Sequence, residues 1–183
     1  MSATFSKPMT AVRRPAAAHV ADSNAASERF FTTYADTIAR ACHALAARFE
    51  RGGRLLAYGN GAQRSDVAHV VVEFVHPVIV GKRALPAIGL GASRMLDVLG
   101  HPQDALMLLC AGAPTEADRS LLARAKARGM LVLALTGTTS DVDVDFHFPV
   151  PSDDPLIVQE THEMLYHVLW ELVHVFFEHR AAE

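Results

Sequence analysis

The hydrophobic positions first follow a helical spacing and then change to short apolar runs. Apolar residues recur every three or four positions from residue 30 to 49. This predicts a helix that Asp22 or Ser23 caps and that Gly52-Gly53 ends. From residue 54 onward, short apolar runs alternate with amphipathic segments. The runs predict strands over 54–58, 86–90, 105–110, 130–135 and 146–150, and the segments predict helices over 62–76, 115–128 and 155–179.

Alternating strands and helices indicate an α/β fold. Short strands separated by helices imply right-handed crossovers and a parallel sheet that is covered on both faces. We therefore expect a three-layer sandwich with a five-stranded parallel sheet, doubly wound like flavodoxin, with an N-terminal and a long C-terminal helix. Residues 1–22 are rich in Ala, Ser, Thr and Pro and have no period. They predict a flexible arm before a single domain over 23–183.

Three glycine-bearing turns follow predicted strands. They are Gly59-Asn60-Gly61, Ala111-Gly112-Ala113 and Thr136-Gly137. In open parallel sheets, ligands bind beyond the carboxyl ends of the strands. The three turns therefore predict a ligand site at this edge of the sheet.

Composition and charge exclude several classes of function. The chain has 183 residues and a formal charge of −3, so no broad basic field favours nucleic acid. No apolar run reaches the roughly 18 residues that a membrane helix needs. The two cysteines, Cys42 and Cys110, lie far apart in apolar surroundings. They indicate a reducing cytoplasm rather than a disulfide framework.

Two helical segments carry the residues with the most chemistry. His69 and Glu73 are four apart, so they project from one face of a helix and could bind one metal ion. A hydrogen-bonded His–Glu pair explains the same spacing. Gln159 and His167 lie roughly 12 Å apart along their helix, so both reach one ion only by leaning inward. A surface pair between Glu163 and His167 is the simpler alternative there.

These motifs together resemble the sugar isomerase (SIS) fold. Gly59-Asn60-Gly61 is followed by Asp66-x-x-His69-x-x-x-Glu73, and the last helix carries Gln159-Glu160-x-His162-x4-His167. Within this fold the motifs are similar to those of the phosphoheptose isomerases, which convert sedoheptulose 7-phosphate to a manno-heptose 7-phosphate. The resemblance covers residues 28–178 and implies aldose–ketose isomerisation of a sugar phosphate.

The resemblance also implies a metal, an assembly and a set of site residues. It implies one zinc ion per subunit, with a homotetramer and sites near subunit interfaces. The implied zinc ligands are His69, Glu73, Gln159 and His167. Of these, Glu73 is the implied catalytic base and His167 the acid. The expected contacts to the phosphorylated sugar are Asn60, Gly61, Ser65, Gly112, Thr115, Thr136 and Gln159.

The phosphate turns depart from the family pattern. The first turn of the family reads Gly-Asn-Gly-Gly-Ser, and here Gln63 stands in place of the serine. The serine-rich second turn corresponds to residues 110–115, where only Thr115 keeps a hydroxyl. Each lost donor could cost about 1 kcal/mol, so we expect weak phosphate binding or a different head group. Leu156 replaces an aspartate of the family, and the segment 91–102 is shorter.

Two functions follow from these patterns. Retention of the four metal-type residues favours a zinc-dependent isomerase. Erosion of the hydroxyl-rich turn favours the alternative, a non-catalytic SIS-domain protein that binds a phosphosugar or contacts a protein partner as a regulator. Some relatives of this branch resemble regulators of bacterial replication initiation. A DNA-binding regulator is disfavoured because no helix-turn-helix segment precedes the domain.

Overall fold

The computed structural model describes residues 16–77, 79–137 and 141–181. Within these ranges the helices are α1 (Ala16–Glu50), α2 (Gln63–Val75), α3 (Met95–Leu99), α4 (Glu116–Ala127) and α5 (Pro155–Ala181). The strands are β1 (Leu55–Gly59), β2 (Ala87–Gly89), β3 (Ala105–Leu109), β4 (Leu131–Thr136) and β5 (Phe146–Pro149). The predicted strands are confirmed, with ends that differ by at most one residue.

The five strands form one parallel sheet in the order β2-β1-β3-β4-β5. This confirms the predicted doubly wound α/β fold. The order of the strands reverses between β1 and β3, because the chain first winds outward to β2 and then returns. Such a switch point opens a crevice at the carboxyl ends of the two strands. The turns at Gly59-Asn60-Gly61 and after Leu109 therefore face each other across it.

Alternate side chains of the strands enter two separate cores. Leu55 and Ala57 of β1 pack with α1, α2 and α5, whereas Leu56 and Tyr58 pack with α3 and α4. The same alternation holds along β3 and β4, whose residues are buried throughout. Strands that are buried on both faces read as continuous apolar runs, which explains why the sequence pattern located them. The three-layer arrangement is confirmed.

The beginning of α1 differs from the prediction. The helix starts at Ala16, so the assignment of residues 16–22 to a flexible arm was wrong, and so was the cap at Asp22 or Ser23. Alanines favour a helix even without an apolar stripe. Side chains of this first part also bind α5: His19 Nε2 lies 2.9 Å from Glu160 Oε1, and the Ser23 hydroxyl donates to Glu160 Oε2. Residues 1–15 of the predicted arm lie outside the described residues.

The last helix, α5, covers the sheet beside α1. Val158, Leu165, Leu169 and Val173 are buried on the face that joins the core. This confirms the predicted long C-terminal helix. None of the helices among the described residues is long and apolar enough to cross a membrane.

The segment 91–102, in which no helix was predicted, contains the short helix α3. Its five residues bury only Leu96, which packs in the core shared with α4. A single buried residue gives no helical period, so the sequence pattern carries no signal for this element. The short β2 precedes it at the edge of the sheet.

Candidate active site

Three of the predicted metal residues meet between α2 and α5. His69 and Glu73 lie on one face of α2, and His167 faces them from α5. The His69 Nε2 and His167 Nε2 atoms are 3.3 Å apart, and His167 Nε2 lies 3.8 Å from Glu73 Oε2. One ligand atom from each of the three residues lies within 4.8 Å of the other two. The fold thus brings the imidazole pair and the carboxylate together.

The donor atoms fit the spacing of zinc ligands. Two nitrogens bound to tetrahedral zinc at about 2.0–2.1 Å are separated by roughly 3.3 Å, close to the distance between the two Nε2 atoms. The other nitrogen of His69 has the partner that a metal-bound imidazole needs, since the Tyr166 hydroxyl lies 2.8 Å from Nδ1. Glu163 Oε1 approaches the same Nδ1 at 3.7 Å. Either neighbour fixes the orientation of the His69 ring.

Gln159 contacts a carboxylate of α2. Its side-chain Nε2 donates to Oδ1 of Asp66 at 2.7 Å. The Asp66 side chain is buried, and this burial raises its pKa, although the hydrogen bond from Gln159 opposes the shift. Gln159 therefore lies beside the first turn of α2, with its amide nitrogen already occupied.

The first glycine turn joins β1 to α2. Gly61 has a φ of +59°, a conformation in which a side chain would be strained. Asn60 accepts a hydrogen bond from the Tyr58 hydroxyl at 2.9 Å, and its amide nitrogen lies 3.5 Å from Asp118 Oδ1. The exposed Ser65 donates to the carbonyl of Ala62 at 2.7 Å. Asn60 and Gly61 thus lie at the switch point, and the Ser65 hydroxyl is bound to its own turn.

The second turn leads into α4 and contains Gly112 and Thr115. Gly112 is exposed, and its carbonyl accepts from Gly137 N at 3.1 Å. Thr115 is the N-cap of α4, as expected. Its hydroxyl accepts from Asp118 N at 3.2 Å, and Asp118 Oδ2 accepts from both Thr115 N and Thr115 Oγ1. This capping box engages the one hydroxyl that the turn retains.

Thr136 is the last residue of β4, and its polar atoms bind other parts of the fold. It is fully buried, and its hydroxyl is 2.9 Å from His147 Nε2. Its carbonyl accepts from Val150 N and lies 3.2 Å from His162 Nε2. The structure therefore uses Thr136 to join β4 to β5 and α5, and gives no support to its predicted contact with a sugar.

Sequence comparisons find relatives over most of the chain. The phosphoheptose isomerase of Desulfovibrio desulfuricans is 29% identical over 187 aligned positions, which cover 90% of this chain and 89% of the relative. The enzyme of that name from Thermodesulfovibrio yellowstonii is 28% identical and covers 85% and 89%. No protein-family profile matches the chain.

Solved structures share the fold. A phosphoheptose isomerase from Francisella tularensis superposes with a TM-score of 0.78 at 23% identity, covering 86% of this chain and 95% of the other. A second, from Neisseria gonorrhoeae, has a TM-score of 0.71 at 23% identity and covers 86% and 96%. The chain is therefore similar in sequence to curated phosphoheptose isomerases, and it shares the SIS fold of the solved ones. The resemblance seen in its motifs thus extends to its full topology.

Two residues of this candidate site were not singled out from the sequence. Tyr166 is fully buried, and burial together with the charges of Glu163 and Asp66 raises its pKa, so the hydroxyl keeps its proton. Its position seven residues after Gln159 places it on the same face of α5, which was the available signal. Asp118 could have been found from Thr115-x-x-Asp118, a capping-box pattern.

Proposed function

We propose that the protein is a phosphoheptose isomerase-like enzyme, which interconverts the aldose and ketose forms of a phosphorylated sugar of the sedoheptulose 7-phosphate type. The observation that carries this proposal is the meeting of Glu73 with two imidazoles, from His69 and His167, in a chain whose relatives are named phosphoheptose isomerases. A carboxylate opposite an imidazole is the pair that proton transfer between adjacent carbons requires.

The two proton-transfer roles follow from the chemistry of the side chains. Isomerisation removes a proton from the carbon next to the carbonyl and delivers one to the carbonyl oxygen, which gives an enediol. We assign the removal to Oε2 of Glu73, since a carboxylate accepts. We assign the delivery to Nε2 of His167, which lies 3.8 Å from that oxygen. To complete the reaction, Glu73 returns the proton to the former carbonyl carbon, and His167 removes the proton from the neighbouring hydroxyl oxygen, which becomes the new carbonyl.

Zinc is the metal that this donor set fits. We propose that His69, Glu73 and His167 hold it, with Gln159 as the fourth ligand. A bound zinc ion would stabilise negative charge on the sugar oxygens. Partly exposed ligands, with His69 at 40% and His167 at 43% side-chain exposure, leave room for a sugar beside the site.

His167 cannot bind zinc and donate a proton through the same nitrogen at the same time. A nitrogen that binds zinc has no proton to deliver. Titrating zinc into metal-free protein separates the roles. Turnover that rises in proportion to bound zinc, together with loss of zinc from His167→Gln, assigns His167 as a ligand. Turnover of metal-free protein that His167→Gln abolishes assigns it as the acid.

The remaining parts of the proposal concern substrate contacts and assembly. We propose that Asn60, Gly61 and Gly112 contact the phosphorylated sugar at the switch point, with Ser65 and Thr115 turning their hydroxyls toward it when it binds. We propose a homotetramer, as the resemblance to the phosphoheptose isomerases implies, and the partly exposed cluster between α2 and α5 is compatible with a site near a subunit interface. A cytoplasmic location stays a prediction from the sequence.

Turnover of sedoheptulose 7-phosphate tests the function directly. We expect the wild-type protein to form the aldose, and Glu73→Gln to lower kcat by about 100-fold or more. His76→Gln is the matched control, since His76 is exposed at the end of α2 and lies outside the cluster. A wild-type protein without turnover, or a Glu73→Gln variant as active as the control, would refute the proposal.

One observation favours a second function, phosphosugar binding without turnover. The only hydroxyl of the second turn, that of Thr115, is bound to Asp118. A protein of this kind would act as a regulator through its ligand or a protein partner. Calorimetry that detects binding of the sugar phosphate to a protein without turnover would identify this case.

A further inference from the structure

Asp66 is a buried carboxylate that has one hydrogen-bond partner among the described residues. Its side chain is 2% exposed and lies in the first turn of α2, three residues before His69. Oδ1 accepts from Gln159, and Oδ2 is buried without a hydrogen-bond partner among the described residues. Burying a carboxylate with so few partners costs stability, and an apolar residue of similar size would pack here at lower cost. The position therefore needs an explanation beyond packing.

The contacts between α2 and α5 run in the same direction along both helices. Asp66 meets Gln159, His69 meets Tyr166, and Glu73 meets His167. The Asp66–Gln159 pair is thus the first of three successive contacts between the helices, and the next two involve residues of the proposed zinc and proton-transfer cluster. Gln159 lies on the same face of α5 as Tyr166 and His167.

The chemistry of the pair fixes which end of the Gln159 amide is used. Oδ1 of Asp66 accepts from Gln159 Nε2, so the pair uses the NH₂ end of the amide, which is the end that donates. The Gln159 oxygen is then on the other branch of the side chain, free to bind a metal or a sugar hydroxyl. Without Asp66, both orientations of the amide would be open.

We infer that Asp66 is a positioning residue, which holds the Gln159 amide with its oxygen available to the cluster of His69, Glu73 and His167. This inference rests on the proposed function for the identity of what that oxygen binds. Mutation of a residue that orients a metal ligand in this way typically lowers metal affinity by about 10- to 100-fold.

A reciprocal exchange of the pair tests the inference. Asp66→Asn keeps the shape but lets the two amides pair in either orientation, so we expect zinc affinity, measured by competition with a chromogenic chelator, to fall by about 10-fold. The double variant Asp66→Asn with Gln159→Glu restores a donor facing an acceptor and leaves a carboxylate oxygen on the free branch. We expect it to recover most of the affinity.

A second measurement needs no metal. In ¹H–¹⁵N spectra of metal-free protein, the Gln159 side-chain signal is assigned by its absence from Gln159→Ala. We expect Asp66→Asn to shift it. If the wild type binds no zinc, the metal part of the proposed function fails, and this signal alone decides the orientation.

Three outcomes would overturn the inference. The first is an Asp66→Asn variant with wild-type zinc affinity. The second is a Gln159 signal that does not respond to Asp66→Asn. The third is an exchange variant that folds, by circular dichroism, yet binds zinc no better than Asp66→Asn, because that would indicate only a general role of Asp66 in packing.

Discussion

Protonation of His162 should destabilise the fold below neutral pH. The ring is 1% exposed, its Nε2 lies 3.2 Å from the Thr136 carbonyl, and its Nδ1 has no hydrogen-bond partner among the described residues. The neutral ring therefore donates from Nε2, and a second proton would place an unpaired N–H and a charge in the core. Burial lowers the pKa of His162 from 6.5 to about 4, although the hydrogen bond to Thr136 opposes the shift.

The sign and size of the effect follow from proton linkage. Between the folded and unfolded pKa values the unfolded chain binds more protons at His162, so stability is present above pH 6.5 and is lost as the pH falls toward 4. A shift of this size corresponds to about 3 kcal/mol of unfolding free energy.

Urea unfolding of wild type and His162→Gln across this pH range measures the effect. Glutamine keeps a donor for the Thr136 carbonyl but does not titrate. Carboxylates such as Asp104 make the unfolding free energy depend on pH to the same extent in both proteins. The difference between the two curves of unfolding free energy against pH therefore isolates the contribution of His162. We expect the stability advantage of the wild type to shrink by about 3 kcal/mol between pH 7 and pH 4. Parallel curves would refute the reasoning.

Three further variants test other parts of the structure. Thr115→Ala removes the N-cap of α4 and should lower the unfolding free energy by about 1 kcal/mol in urea titrations, whereas an unchanged midpoint would contradict the capping box. Asp104→Asn breaks its ion pair with Arg54, 2.7 Å between Oδ2 and Nη2, and should cost about 2 kcal/mol by the same assay; a loss below 0.5 kcal/mol would argue against it. His69→Ala should lower zinc content sharply by atomic absorption, and full retention would exclude His69 as a ligand.

The sheet could be predicted from the sequence because its signal is local. The runs that became β1, β3 and β4 are apolar at every position, since both faces of each strand are buried. The ends of the helices are harder to predict from the sequence. The start of α1 depends on a contact of Ser23 and His19 with Glu160, which lies more than 130 positions away in the chain. No local pattern reports such a partner.

The candidate site, too, has one part that local spacing predicts and another that depends on packing between distant elements. The spacing of His69 and Glu73 predicts a shared face of α2, but the distance to His167 depends on how α5 packs against α2. Thr136 illustrates the opposite case. Its place after a strand predicted an exposed hydroxyl at the sheet edge, but the packing of His147 and His162 buries it. Position along a strand predicts the edge of the sheet, and only the packed structure shows which side chains reach the surface there.

The residues at the switch point between β1 and β3 determine what a bound phosphate would contact. Asp118 places a carboxylate at the start of α4, where the helix dipole favours a negative charge, and its Oδ1 lies 3.5 Å from the Asn60 amide. Asp118 is buried and accepts from the Thr115 hydroxyl, so a phosphate that entered between the two turns would meet fewer hydroxyls than the family pattern provides. Affinity for a sugar phosphate must then come from backbone amides and from groups that bind the sugar itself. In the proposed function the cluster of His69, Glu73 and His167 supplies such groups, so we expect loss of this cluster to weaken sugar binding as well as turnover.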